Sequence, residues 1–335
     1  MVYVGIDVHS SQWTICVLDE NGKCVMAREL RGDWRGLVKQ VGEIGPDMAV
    51  CFEATCGAGW LYDQLRKVAG RVVVANAMKM KLVFASKRKN DGRDAERLAK
   101  ILFLDEVPGV HIPSREVRSW RMLIEHRRSL LVRCTAVRNR IRCFLRSFGV
   151  TPVKGLWTKK GLRWLEELKL DLRCERVQLD ILVEELLDAQ ERLKAVTREL
   201  DVISTEKPGV ALVMTIPGVG VRTAEAVVAY IDDAWRFARM KRIGSYFGLI
   251  PSQHQSGGTK HMGRITRQGP SVVRWLLTEA AWQGIRKSSK IRAFYERVER
   301  KDPNRRKVAV VATAHYLVRV MLAMLRSGEA WRFAA

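Results

Sequence analysis

The chain has 335 residues, 47% of them hydrophobic, enough for two or three domains with sizeable cores and too apolar for a disordered tail. Lys and Arg number 59 against 36 Asp and Glu, giving a formal net charge of +23 and a pI near 10.1. Such an excess repels itself unless a polyanion neutralises it, so nucleic acid is the leading partner; no uninterrupted apolar run of roughly 18–20 residues supports a membrane span.

The opening residues, Met1 to Asp7, run directly into a β-branched stretch, which is neither a signal nor a transit peptide pattern. Seven cysteines (16, 24, 51, 56, 134, 143 and 174) are scattered without a CxxC pair, which indicates reduced thiols in a cytoplasm. Neither they nor the six histidines have zinc-ligand spacing.

Strands are expected at 2–8 and 14–18, with Asp19-Glu-Asn-Gly22 as the hairpin turn, and at 23–30. A helix over 34–44, a buried strand at 48–53, a helix ending near Val68 and a strand at 71–75 follow. The order β-β-β-α-β-α-β predicts a mixed sheet covered by helices.

Asp7 sits within the first strand among apolar residues, where a carboxylate costs several kcal/mol unless paired or bound to a cation. Glu53 ends the fourth strand. Asp91 and Asp94 open a helix, and their i,i+3 spacing puts both on one face, with Cβ atoms about 5–6 Å apart. Each acid has a structural alternative: a buried Arg for Asp7, capping for Glu53 and Asp91, and the helix dipole for Asp94. Together they favour a site for Mg²⁺ or Mn²⁺, hard ions that prefer oxygen ligands. Two such ions would clamp the attacking and leaving oxygens of a phosphodiester.

Pro108 and Pro113 punctuate the end of this domain. From Arg115 to about Phe148 a helical pattern carries ten arginines, among them Arg127, Arg128, Arg138 and Arg142. A charge run is ordinarily a solvated face of mixed sign; this one is nearly all arginine, which favours phosphate. A more acidic amphipathic helix over 174–199 is expected to pair with it as an antiparallel coiled coil or to form a subunit contact. The expected division is 1–108, a catalytic α/β domain; 109–204, a helical arm for nucleic-acid binding and oligomerisation; and 205–335, a mostly helical C-terminal domain.

In that last part Gly218 and Gly220 precede a helix, either as a phosphate site at its N-terminus or as an ordinary turn between packed helices. Trp235, Phe237, Tyr246 and Phe247 read as core, and Arg236, Arg239, Lys241 and Arg242 as facing nucleic acid. Ser256 stands before Gly257 and Gly258, which permit close backbone approach, with Lys260, Arg264 and Arg267 at short range. A hydroxyl in a flexible turn among cations suits attack on a phosphodiester; a solvated Ser/Gly loop is the plain alternative. Arg274 is a candidate phosphate clamp. His254 and His261 could assist proton transfer or simply face solvent. The apolar helix over 307–325 reads as structural.

Gly5-Ile-Asp-Val8, Phe52-Glu-Ala-Thr55 and Asp91-x-x-Asp94-Ala95 resemble the DEDD tetrad of a RuvC-like, ribonuclease-H-fold domain. Ile216-Pro-Gly-Val-Gly220, Phe247-Gly-Leu-Ile-Pro251, Ser256-Gly-Gly258 and Gly263-Arg-Ile-Thr266 resemble the C-terminal domain of insertion-sequence family one hundred and ten transposases, relatives of the Piv-type DNA invertases. The two motif sets occur in that family's order over nearly the whole chain; Gly269-Pro270 replaces a frequent Gly-Asn and bears only on local turn shape. The resemblance implies a prokaryotic, nucleoid-associated recombinase with metal positions Asp7, Glu53, Asp91 and Asp94 and a nucleophile at Ser256. It further implies a covalent phosphoserine intermediate and a structured non-coding guide RNA, the bridge RNA, pairing with donor and target DNA. Exchange between two duplexes requires more than one active site, hence a dimer or tetramer. The alternative is a metal-only, structure-specific RuvC-like endonuclease.

Overall fold

The computed structural model describes residues 1–83, 91–256 and 259–332. The chain divides into two compact units, Met1–Arg118 and Ser119–Ala335.

The first unit is built on five strands: β1 (Val2–Val8), β2 (Gln12–Leu18), β3 (Cys24–Arg31), β4 (Met48–Glu53) and β5 (Arg71–Ala75). Helix α1 (Trp34–Gly42) follows β3, α2 (Ala58–Leu65) follows β4, and α3 (Ala77–Val83) and α4 (Asp91–Phe103) follow β5. The sheet order is β3-β2-β1-β4-β5, with β1 antiparallel to β2 and parallel to β4, and β4 parallel to β5. This is the mixed, helix-covered sheet expected from the strand and helix order.

Strand alternation sorts the side chains onto two faces. Val4, Ile6, Val50, Phe52, Val72 and Val74 are buried with Leu37 and Val41 of α1 and Leu61 and Leu65 of α2. On the other face Ala49, Cys51 and Ala75 meet Leu98, Ile101 and Leu102 of α4, while Cys16 and Leu18 meet Ala95 and Ala99. All seven cysteines are free thiols; burial pushes those of Cys16 and Cys51 up to about 12, so both behave as apolar filling.

In the second unit α5 (Arg115–Ser147, which begins in the first) and α7 (Arg173–Thr205) run antiparallel, joined by α6 (Lys159–Glu167). Arg127 Nε donates to Thr197 Oγ1 at 3.0 Å and Arg140 pairs with Glu185, so numbering rises on one helix as it falls on the other. Val137, Ile141 and Leu145 share a core with Leu179, Val183 and Leu186. Nearer the base, Trp120, Ile124 and Leu200 belong instead to the core of the C-terminal helices.

Those are α8 (Pro208–Met214), α9 (Val221–Ile231), α10 (Arg242–Tyr246), α11 (Ser271–Lys287), α12 (Ser289–Glu299) and α13 (Arg306–Ser327), interrupted by the hairpin β6 (Pro251–Ser256) and β7 (Thr259–Ile265). The segment Pro303–Ser327, with a mean hydropathy of 1.9 over its most apolar stretch, is by length and composition the one helix among the described residues apolar enough to cross a membrane. Ala314, Leu317, Val318, Met321 and Leu322 of α13 are fully buried against α9 and α11 residues, which accounts for the apolarity within a protein core.

Candidate functional site

Asp7 and Glu53 are each one position beyond Ile6 and Phe52, the last pair of the parallel β1–β4 ladder, and pair outward with Thr14 of β2 and Ala75 of β5. They share a strand face with Tyr3 and Gly5 on β1 and with Ala49 and Cys51 on β4, the face covered by α4. Phe103 at the end of α4 packs edge-on against Tyr3, and Ala99 and Ala95 lie over Gly5. The start of α4, with Asp91 and Asp94, is therefore directed toward the Asp7 end of the strand. All four predicted acids belong to one end of the sheet.

Asp7 is half-buried, and its Oδ2 lies 3.4 Å from His9 Nε2. His9 was not singled out in the sequence; its i+2 position beside Asp7 is the signal that could have found it. Asp94 Oδ1 accepts from Arg97 Nη1 at 3.0 Å. The side chain of Asp91 lies outside the described residues, and among the described residues no three His, Cys, Asp or Glu side chains gather closely enough to hold a metal ion. The donor chemistry nevertheless suits Mg²⁺ or Mn²⁺, since every candidate ligand is a carboxylate oxygen.

Ser256, expected in a flexible turn, is the last residue of β6, and its register partner is Thr259 at the start of β7. Gly257 and Gly258 lie outside the described residues, as do the side chains of His254, Ser256 and Lys260. Below the tip, Thr266 N donates to Ile250 O at 2.9 Å and Arg267 N to Gly248 O at 3.2 Å. Gly248 has φ +64°, and a Cβ there would collide with the Gln268 backbone. Arg274 Nη1 donates to Gln268 O (2.5 Å), Gly269 O (2.8 Å) and Phe247 O (3.3 Å). The candidate phosphate clamp therefore holds the base of the hairpin. Arg264, Arg267 and His261 are exposed.

Several arm arginines are engaged by the protein. Arg128 stacks on Trp275, with Cζ 3.8 Å from the ring centroid, while Arg138 and Arg142 flank Trp157 at 5.5 and 5.2 Å. Arg121 donates to Ala229 O at 2.8 Å. Gly218, φ +90°, allows backbone contact with Gly284 of α11, whereas Gly220 caps α9 with open space before it. Phe237 and Phe247 are buried as expected; Trp235, expected in the core, is 70% exposed. It lies in the loop after α9 between the buried Ala234 and Phe237, a contrast that the apolar pattern alone does not reveal.

Glu225, also not anticipated, is 1% exposed on α9. Ser204 Oγ donates to its Oε2 at 3.0 Å, and Arg222 Nη1 lies 3.2 Å away while also pairing with Asp201. Burial outweighs the Arg222 charge and raises the carboxyl to about 7.

A sheet with acids at one end and a strongly basic helical unit suit an enzyme acting on DNA, and the sequences that this chain matches are those of transposases. Residues 4–149 match the DEDD transposase family DEDD_Tnp_IS110, and residues 210–296 match the family described as "Transposase IS116/IS110/IS902 family". The chain is 28% identical to the transposase for insertion sequence element IS1111A of Coxiella burnetii, over 99% of this chain and 92% of that protein. It is 25% identical to a probable family 20 transposase of Pseudomonas aeruginosa, over 98% of each chain, and 27% identical to the putative transposase y4qE of Sinorhizobium fredii, over 84% and 71%. Residues 4–149 and 210–296 thus carry IS110/IS116/IS902 family transposase domains, in a chain similar to insertion-sequence transposases over nearly its whole length.

Proposed function

We propose that this transposase cuts and rejoins DNA through a phosphoserine formed by Ser256, with a divalent metal held by Asp7, Glu53, Asp91 and Asp94. The observation that carries the metal half is the placement of the four acid positions at one end of the sheet, within the match to the DEDD family. Bound there, Mg²⁺ or Mn²⁺ would supply Lewis-acid stabilisation of charge on a scissile phosphate. The serine half is supported by the hairpin end at Ser256, within the chain's second family match.

In the reaction the Ser256 Oγ–P bond forms as the P–O bond to one sugar breaks, and the released sugar hydroxyl takes up a proton. Attack by another strand's hydroxyl reverses the step, rejoins DNA and restores the serine, so bond energy is conserved without ATP. Exposed Arg264 and Arg267 bring positive charge to the hairpin, and the arm adds phosphate contacts whose strength falls with salt. A dimer or tetramer, with the arm as a coiled coil, and a structured guide RNA complete this reading; base pairing by such an RNA would leave no sequence code in the protein.

The test is a trapping assay with protein, Mg²⁺, labelled junction DNA and host RNA, denatured before electrophoresis. Label at protein mass, lost in Ser256→Ala and without metal, is expected. Cleaved ends without adduct, unchanged by Ser256→Ala, would leave the metal-only endonuclease.

A further inference from the structure

We infer that Trp235 is a stacking platform for an unpaired nucleobase. Fully burying an indole removes roughly 150–250 Å² from water, yet this one is 70% exposed. The loop carrying it is nevertheless tightly braced. Asp233 Oδ1 accepts from Trp235 N at 2.7 Å, and Arg326 Nε donates to Ala234 O at 3.1 Å. Arg326 Nη2 also donates to Phe237 O, and Arg236 reaches back to Ile231 O (2.9 Å) and Tyr230 O (3.0 Å). An aromatic ring presented from a fixed backbone has little freedom to lose on binding, the arrangement that favours recognition.

The chemistry around the ring selects the ligand. The Arg326 guanidinium stands 5.0 Å from the centroid of a ring whose residue is 70% exposed, so most of the indole remains open to a ligand. Arg239, Lys241 and Arg242, all exposed, follow within seven residues. The acids of the loop are Asp232 and Asp233; the latter's carboxylate is engaged by the Trp235 amide. An exposed π-face beside a run of cations matches the design of single-strand binding surfaces, where bases stack while the cations hold phosphates. A paired base inside a duplex offers no free face, so the ligand is a base already out of its stack, in either DNA or RNA.

This inference rests on neither Ser256 nor the metal, and its test uses neither. Full-length wild type, Trp235→Ala and Trp235→Phe are titrated without metal against a fluorescently labelled single-stranded oligonucleotide, as DNA and as RNA, and against the matching DNA duplex. Trp235→Ala is expected to weaken single-strand binding by roughly five- to a hundredfold, the range for loss of one stacked base. Duplex affinity should change far less, and Trp235→Phe should retain most single-strand affinity. Whichever single strand responds identifies the source of the base. A 2-aminopurine in that strand should be quenched by wild type and not by Trp235→Ala. Unchanged single-strand binding of both kinds, or an equal loss on duplex, overturns the inference. Loss of self-association in Trp235→Ala with single-strand affinity intact would make the ring a protein contact and overturn it as well.

Discussion

Gly5 of β1 lies directly beneath the backbone of Ala95 in α4: a Cβ on Gly5 would stand far inside van der Waals contact with the Ala95 carbonyl oxygen and the Ala99 amide nitrogen. Backbone, unlike the far end of a flexible side chain, cannot swing away. This contact sets how closely the start of α4, with Asp91 and Asp94, approaches the strand that carries Asp7. Gly5→Ala should therefore lift the helix, with a cost of at least about 1–3 kcal/mol for forced overpacking. Calorimetry should show the melting of the first unit lowered by roughly 5–15 °C, and metal-dependent cleavage should fall with it. Unchanged melting would mean that the helix tolerates the displacement.

The carboxylates themselves should behave in the opposite way. Asp7→Asn and Glu53→Gln remove charge from one end of the sheet without altering the apolar packing of Val4, Ile6, Val50 and Phe52. In chelator their melting temperatures should match or exceed that of wild type. Wild type should gain stability as Mg²⁺ rises, about 2.7 kcal/mol at a hundred times the dissociation constant, and the variants should gain much less. A Mg²⁺-dependent melting shift of the same size in Asp7→Asn would remove Asp7 from the metal set.

Arg274 joins the start of α11 to three carbonyls at the base of the Ser256 hairpin. Burial and the nearby Arg267 charge lower its pKa, so the carbonyl contacts must offset lost hydration. Arg274→Met keeps much of the stem and removes the donors, at a cost of about 1.5–3 kcal/mol for hydrogen bonds to a charged group. The expected outcome is a lower melting temperature and a reduced yield of serine–DNA adduct. Arg274→Lys, which supplies one compact cation in place of a fork, should recover only part of both. If Arg274→Met lowers DNA affinity while melting is unchanged, the side chain holds phosphate and not the hairpin.

Much of the first unit was legible because its strands are short β-branched runs between turn residues and helix α1 carries a clear cap, Asp33, whose Oδ1 accepts from Gly36 N at 2.8 Å. Strand ends also reveal Asp7 and Glu53, since alternation fixes the face each shares. The hairpin was harder: Gln253, His254 and Gln255 form no apolar alternation, and the pairing depends on the positive-φ Gly248 and on Arg274 from a later helix. The arginines' intramolecular partners were not legible. Arg121, Arg128 and Arg274 look alike in sequence, but distant carbonyls or an indole engage them, and those partners appear only once the chain is folded. Trp235 failed for the converse reason, because an apolar residue is assigned to a core by default and this one is 70% exposed between the buried Ala234 and Phe237.

Glu225 offers a pH test of the second unit's interior. Its neighbours are Ser204 and Asp201 from α7, Arg222 on its own helix and Arg127 from α5, so the carboxyl sits where the arm meets the C-terminal helices. Burial raises it from the ordinary carboxylate value near 4.5 to about 7. Between those two values the unfolded chain has released this proton while the folded chain retains it. Stability must therefore fall as pH rises through the window, by on the order of 3 kcal/mol at 1.36 kcal/mol per pH unit, and level off above pH 7. Glu225→Gln keeps an oxygen to accept from Ser204 and has no proton to lose. Its melting temperature should gain on wild type steadily from about pH 4.5 to 7 and hold a constant lead at higher pH. Melting curves recorded across pH 4.5–8.5 check this directly, and parallel curves for the two proteins would show that Glu225 titrates alike in both states.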